Sequence, residues 1–193
     1  PCDADHFHII KDLVEVRRYF KNMLKSAITN CIYFENKLLS KNPDYQKGYA
    51  KRLAMAKREE KKMRHLALSI GILVGGMWHD VLNKAGSNII VRQELFDFIL
   101  VELETLAKLY PHRIKSICTK LKNQRDLLLA FVNVLEDKFI TIAEQHQCSL
   151  NIVWEICKLH RFKYYSDNYI IRSETIFLQL VEAFEEIEDT VIE

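Results

Sequence analysis

The chain has 193 residues, of which 49% are hydrophobic, enough for a buried core, and only five glycines and three prolines interrupt it. Because both residue types break regular structure, their scarcity favours long helices and argues against a turn-rich β fold. The longest uncharged run, residues 66–79, would make ~21 Å of helix, too short to cross an apolar bilayer core of ~30 Å, so no membrane partner is expected.

Six helices are predicted, in a single helical domain of residues 1–193. Within them, apolar residues recur at steps of three and four, the period of an α-helix. The predicted fold class is therefore all-α, a bundle of long helices. The helices span residues 7–39, 49–84, 89–110, 112–146, 149–162 and 173–192, and residues 1–6 are the one segment consistent with the end of a strand.

Turn chemistry sets the boundaries between these helices. Asn-Pro and Gly in residues 40–48 predict a loop. Gly86 predicts the C-terminal cap of the second helix, and Ser87 or Asn88 the N-cap of the third. Pro111 ends the third helix, because the residue before a proline disfavours helical conformation. The apolar face of the third helix is assigned to Val91, Leu95, Phe98, Ile99, Leu106 and Leu109.

The net charge is only +2, but charge is unevenly distributed along the chain. Eight Lys or Arg and two Glu lie in residues 47–64, whereas residues 173–193 contain seven Asp or Glu and no Lys or Arg. Such blocks indicate either a surface that faces a polyanion and a separate acidic surface, or simply the solvated faces of helices.

The five cysteines are odd in number and irregularly spaced, and no secretory signal is recognisable ahead of them. No disulfide framework is therefore predicted, and the expected compartment is a reducing cytoplasm.

Common enzyme motifs are missing from the sequence. No G-x-S-x-G turn and no P-loop are present, and "GILVGG" (71–76) lies inside an apolar helix without the Lys-Ser/Thr of a phosphate loop. "CKLH" (157–160) has the spacing of one zinc-ligand pair, but zinc needs a second pair, and none is visible.

The segment "CDADHFHIIKDL" (2–13) begins with a cluster of two aspartates and two histidines, in residues 3–8. A carboxylate such as Asp5 suits a hard cation, because Mg2+ binds one or two protein carboxylates together with substrate phosphates. His8 lies one helical turn further on. The other interpretation is that Asp3 or Asp5 caps the following helix.

The same segment resembles the region around the second aspartate of bacterial insertion-sequence transposases of the DDE, RNase H-like type. There an Asp, one variable residue and Phe-His precede a helix rich in Leu, Arg and Tyr, and Asp5, Phe7 and His8 match this order. Four later segments are similar to successive parts of the helical region that follows in such enzymes: "WHDVLNKAG" (78–86), "VRQELFDFILVELETL" (91–106), "PHRIKSICTKLKNQRDLLLAFVNVLEDKF" (111–139) and "VWEICKLHRFKYYSDNY" (153–169).

This resemblance implies that the chain is the helical insertion of a metal-dependent strand-transfer enzyme. Asp5 would be one of its three catalytic, metal-binding acids, with Asp3 as the less favoured alternative and His8 near the site. Mg2+ or Mn2+ would act in the intact enzyme, and neither is expected to bind tightly to this chain alone. The other two acids would lie outside these residues, so the chain alone should neither cut nor join DNA.

The implied partner is DNA at the transposon ends, with a homodimer as a further possibility. Basic side chains are expected to contact phosphates, which positions DNA without reading its sequence. The predicted DNA-binding residues are Arg17, Arg18, Lys21, Lys25, Lys51, Arg52, Lys57, Arg58, Lys61, Lys62 and Arg64.

Two alternatives remain open from the sequence. One is a free-standing helical interaction module without catalysis. The other is a small metal-dependent hydrolase that uses the cluster at the start of the chain, namely Asp3, Asp5, His6 and His8, together with the distant His79 and Asp80.

Overall fold

A computed structural model describes the backbone of residues 2–39 and 43–165, and the side chains of residues 6–39 and 46–159. The predicted helix at 173–192, with the acidic block inside it, lies outside the described residues. The described residues form five α-helices and no strand, so the all-α prediction is confirmed. The helices are α1 (Cys2–Leu38), α2 (Pro43–Gly76), α3 (Ile89–Leu109), α4 (Pro111–Gln145) and α5 (Leu150–Tyr165).

Two helices begin earlier than predicted. Residues 2–6 belong to α1 and do not end a strand. Similarly, α2 begins at Pro43, so residues 43–48 are helical and not part of a loop. Proline is well tolerated as the first helical residue, because its missing N–H would have had no partner in the helix there. Pro111 occupies the same position at the start of α4.

The C-terminal end of α2 continues into a π-helical turn, Met77–Val81. The backbone N–H of Leu82 donates to the carbonyl of Met77 at 3.0 Å, which spans one residue more than an α-helical bond. Of the two predicted N-cap residues, Ser87 and Asn88, it is Asn88 that caps α3, since its side-chain oxygen accepts a bond of 3.1 Å from the N–H of Val91. Gly86 does not cap in a left-handed conformation, because no described glycine has a positive φ.

The contacts divide the chain into two compact units. Among the described residues, unit 1 comprises 2–6, 76–101 and 121–165, and unit 2 comprises 7–39, 43–75 and 102–120. The single domain expected from the sequence stays a prediction.

The buried face of α3 differs from the predicted one. Its buried residues are Arg92, Phe96, Ile99, Leu100 and Leu103, whereas Val91, Phe98 and Leu109 are exposed. Because α3 carries apolar residues on nearly every side, periodicity alone does not select the face that packs.

Arg92 is the one charged side chain that is fully buried among the described residues. Its guanidinium donates to four backbone carbonyls in the connection between the π-helical turn and α3: those of Val81 at 2.6 Å, Asn83 at 2.5 Å, Lys84 at 3.0 Å and Ser87. A single side chain therefore satisfies carbonyls that follow the end of α2 and holds this connection against α3.

Aromatic rings enclose the same guanidinium within unit 1. Its Cζ lies 5.2 Å from the ring centroid of Phe131 and 5.7 Å from that of Trp154. Trp154 is itself 2% exposed, and its ring meets Phe139 edge to face at 4.6 Å. Arg92 thus joins the 82–88 connection to the core formed by α4 and α5.

The core of unit 2 is built on the apolar face of α1, where Leu13, Val16 and Phe20 are buried. The rings of Phe20 and Tyr110 meet edge to face at 5.3 Å. An exposed ion pair also joins α1 and α4 in this unit, where Lys120 Nζ lies 2.5 Å from Asp12 Oδ2.

The four described cysteines, Cys31, Cys118, Cys148 and Cys157, are free thiols. Burial raises the pKa of the Cys118 thiol to about 11, so this thiol is protonated and unreactive at neutral pH.

None of the helices in residues 2–39 and 43–165 combines the length and the apolar character needed to span a bilayer.

Candidate nucleic-acid interface

Helices α1 and α2 lie antiparallel in unit 2. Glu35 of α1 is 3.0 Å from Lys57 of α2, and the thiol of Cys31 is hydrogen-bonded to Glu60. Nearer the start of α1, Arg17 approaches Gly71. Residue numbers therefore rise along one helix as they fall along the other, which brings Lys25 level with residues close to position 65.

Residues 28–38 of α1 and 46–62 of α2 form a two-helix arm. Cys31 is the only described side chain of this arm that is buried. Together with Cys31, half-buried residues recur at steps of three and four along each helix and make a single seam: Ile28, Phe34 and Leu38 on α1, and Tyr49, Leu53, Ala56 and Glu60 on α2. One seam leaves the other faces of both helices open to solvent.

All eleven predicted DNA-binding residues lie in unit 2, and all of their side chains are exposed. The described residues of unit 2 include eighteen Lys or Arg and eight Asp or Glu, a formal charge of +10. Those of unit 1 include eight Lys or Arg and ten Asp or Glu, a formal charge of −2. The structure therefore gathers the predicted residues on the strongly positive unit.

Four basic residues of α2 form a row along one exposed face. Lys47, Lys51, Arg58 and Lys62 follow one another at steps of four, seven and four, which keeps them on the same side of an α-helix. The row is about 22 Å long at 1.5 Å per residue. Sequence reasoning missed Lys47, because it placed residues 40–48 in a loop, although the four-residue step to Lys51 was a usable signal.

Two of the eleven residues are paired with acids. Lys57 contacts Glu35 at 3.0 Å, and Arg64 contacts Glu60 at 2.5 Å. The hydrogen bond from Arg64 is the main cause that lowers the pKa of the Glu60 carboxyl. Exposed pairs of this kind contribute little to stability, so either cation can exchange its carboxylate for a phosphate at small cost.

A polar cleft of about 240 Å³ lies between α1 and the first turns of α4, within unit 2. Its charged lining includes Asp12, Glu15, Arg113 and Lys120, with His112 beside them. Lys120 pairs with Asp12, and Arg113 stacks over the ring of Tyr19 at 4.7 Å. Lys120 and Arg113 thus already interact with protein groups. The exposed basic residues of α1 and α2 are therefore better placed to bind an anion.

The two histidines in the cluster at the start of the chain have different surroundings. His6 Nε2 donates to the carbonyl of Leu128 at 2.8 Å, and its ring meets Phe131 at 5.1 Å. Because a carbonyl can only accept, this contact requires the proton on Nε2. His6 is thereby a packing residue of unit 1, while the side chain of His8 is exposed.

The metal site itself stays a prediction. Asp5 lies in α1, but the side chains of Asp3 and Asp5 are outside the described residues. Among the side chains that are described, no group of three or more His, Cys, Asp or Glu is arranged to hold a metal ion. No chemical step through a metal follows from these residues.

No protein family, curated protein or solved structure was found to match this chain. The resemblance to transposases therefore rests on the quoted sequence segments alone, and any function has to be argued from geometry and charge.

Proposed function

We propose that unit 2 binds the phosphate backbone of DNA through the exposed basic residues of α1 and α2, as the helical insertion of a DDE-type transposase. The observation that carries the proposal is the formal charge of +10 on the described residues of unit 2, with all eleven predicted residues exposed. The family context is the one that the sequence resemblance implies.

The form of the basic surface suits a duplex backbone. Duplex DNA carries one negative charge per ~1.7 Å of its axis, so the ~22 Å row on α2 would face on the order of a dozen phosphate charges. Arg18, Lys21 and Lys25 on α1 extend the positive surface beyond the level of Arg64. Such contacts hold and orient DNA without reading its bases, and they weaken steeply with salt.

Reversing two charges in the row tests the proposal. Arg58→Glu with Lys62→Glu should weaken binding to a duplex of arbitrary sequence by roughly tenfold or more at low salt. The slope of log affinity against log salt should become shallower by about 2, one for each lost phosphate contact. Fluorescence anisotropy of a labelled duplex across a salt series measures both quantities.

The matched control is Lys84→Glu with Lys138→Glu, which changes charge equally on two exposed lysines of unit 1. This control variant should keep most of the wild-type affinity for DNA and the wild-type dependence of affinity on salt. Equal losses in the two double variants would mean that binding responds only to total charge, and the assignment to α1 and α2 would be abandoned.

A second candidate, a helical protein-interaction module, is supported by apolar side chains on the open side of α3. Ile90, Phe98 and Val101 are 63%, 57% and 57% exposed in unit 1. The coding DNA on either side of this segment separates the two functions. If the reading frame completes the acidic triad between terminal inverted repeats, the transposase is supported. If the neighbouring genes are unrelated, the interaction module is supported.

A further inference from the structure

Tyr33 stands out on the two-helix arm because it is an aromatic residue outside the seam. Its side chain is 51% exposed, while the neighbouring Phe34 lies in the seam and contacts the ring of Tyr49 at 6.4 Å. The edge-to-face contact between Tyr33 and Phe34, at 5.2 Å, fixes the position of the exposed ring.

A cation lies over this ring. The amine of Lys37, one helical turn further on, is 5.6 Å from the ring centroid of Tyr33. Since half of the side chain is open to solvent, the ring can still accept a flat partner. An exposed aromatic ring with a lysine beside it, on a positively charged surface, is the arrangement by which proteins stack unpaired bases.

The turns of α1 that precede Tyr33 carry uncharged hydrogen-bonding groups on the same side. Asn22, Ser26 and Asn30 are all exposed, and together with Tyr33 they follow at steps of four, four and three. Amide and hydroxyl groups can bond base edges, whereas the flanking Lys21 and Lys25 suit phosphates. Helix α1 therefore presents a neutral, base-compatible row beside a basic one.

We infer that Tyr33 is a stacking platform for an unpaired DNA base, so that the arm prefers DNA with single-stranded or gapped segments over a continuous duplex. This inference rests on the proposed function, because it names the form of DNA that the same surface binds. Lys37 meets the phosphate next to the stacked base, and Tyr33 provides the aromatic face.

The test compares Tyr33→Leu and Tyr33→Phe with the wild-type chain on three labelled DNAs: a single strand of mixed sequence, the matching duplex, and that duplex with a short gap. Leucine keeps an apolar side chain of similar size and loses the aromatic face, whereas phenylalanine keeps the ring. Tyr33→Leu should weaken binding to the single strand and the gapped duplex by about 5- to 100-fold, and binding to the continuous duplex by less than about twofold. Tyr33→Phe should retain wild-type affinities.

Ile32→Ala is the matched control, because Ile32 is 52% exposed on the same turn of α1 and has no aromatic ring. It should change none of the three affinities by more than about twofold, and circular dichroism should show all variants folded alike.

Two outcomes overturn the inference in different ways. If the wild-type chain binds duplex DNA and Tyr33→Leu binds the single strand equally well, the stacking role fails and the proposed function stands. If the wild-type chain binds none of the three DNAs at low salt, both fail together.

Discussion

Replacing Arg92 by methionine is expected to lower the free energy of unfolding by about 3 kcal/mol or more. Methionine keeps most of the length of the side chain but donates no hydrogen bond. Four backbone carbonyls would lose their guanidinium donor: those of Val81, Asn83, Lys84 and Ser87. Because the bond to Val81 is buried, water could not replace the lost donor at that carbonyl. Urea denaturation followed by circular dichroism measures the change.

Arg125→Met is the matched control for this substitution. Arg125 donates two bonds of 2.7 Å to the carboxylate of Asp97, but that carboxylate is 54% exposed. A pair in such contact with water contributes only about 0.2–1 kcal/mol. A loss in Arg92→Met no greater than the loss in Arg125→Met would show that the buried guanidinium is not what holds the connection to α3.

The pair of Asp97 and Arg125 also has a defined pH dependence. The hydrogen bond from Arg125 lowers the pKa of the Asp97 carboxyl. A carboxyl with a lowered pKa in the folded state adds stability at neutral pH, and this small contribution is lost as the pH falls below the ordinary value of about 4.

The second large effect is expected at Gly86. A Cβ added there would lie 2.6 Å from the carbonyl oxygen of Asp80 and 2.8 Å from Cζ of Arg92. One obstacle is backbone and the other is a side chain held by its own hydrogen bonds, so neither can move cheaply. Gly86→Ala should therefore destabilise the fold by about 3 kcal/mol, as the midpoint of chemical unfolding would show.

Gly48→Ala is a useful comparison, because it is expected to change the free energy of unfolding in the opposite direction. Gly48 lies inside α2, where nothing would meet an added Cβ within 4 Å. Alanine there should raise the free energy of unfolding by about 0.5–1 kcal/mol, because glycine in a helix is the more costly residue to order. Similar changes at the two glycines would contradict the packing explanation for Gly86.

Local chemistry explains which parts of the fold were predictable from the sequence. The N-cap of α3 was narrowed to Ser87 or Asn88 because side-chain type and a place before an apolar run are both local signals. Pro43 was misread because proline marks both turns and helix starts, and only tertiary context separates the two. The buried face of α3 was misassigned because that helix is apolar nearly all round.

In α3, Arg92 falls at steps of three and four with Ile89, Phe96, Ile99 and Leu103, so it lies on the same side of the helix as the residues that pack. Its role could not be predicted, however, because the four carbonyls that it binds come together only after α2 has ended in the π-helical turn.

The candidate interface was predictable to a similar degree. Charged side chains stay in water, so the exposure of the eleven basic residues follows from their chemistry. Their concentration on one unit, and the position of Tyr33 outside the seam, depend on how α1 pairs with α2. That pairing requires contacts between distant residues, such as Glu35 with Lys57, which sequence periodicity does not contain.

The single seam of the two-helix arm also sets how this part of the molecule moves. Opening free energies differ from place to place in a protein, and they are lowest where few apolar contacts are buried. Because Cys31 is its one buried side chain, we expect separating the helices of the arm to cost less free energy than unfolding the cores around Phe20 or Trp154. A ligand that bridges α1 and α2 would therefore restrict the motion of the arm on binding. The conformational entropy lost in this way would offset part of the binding free energy.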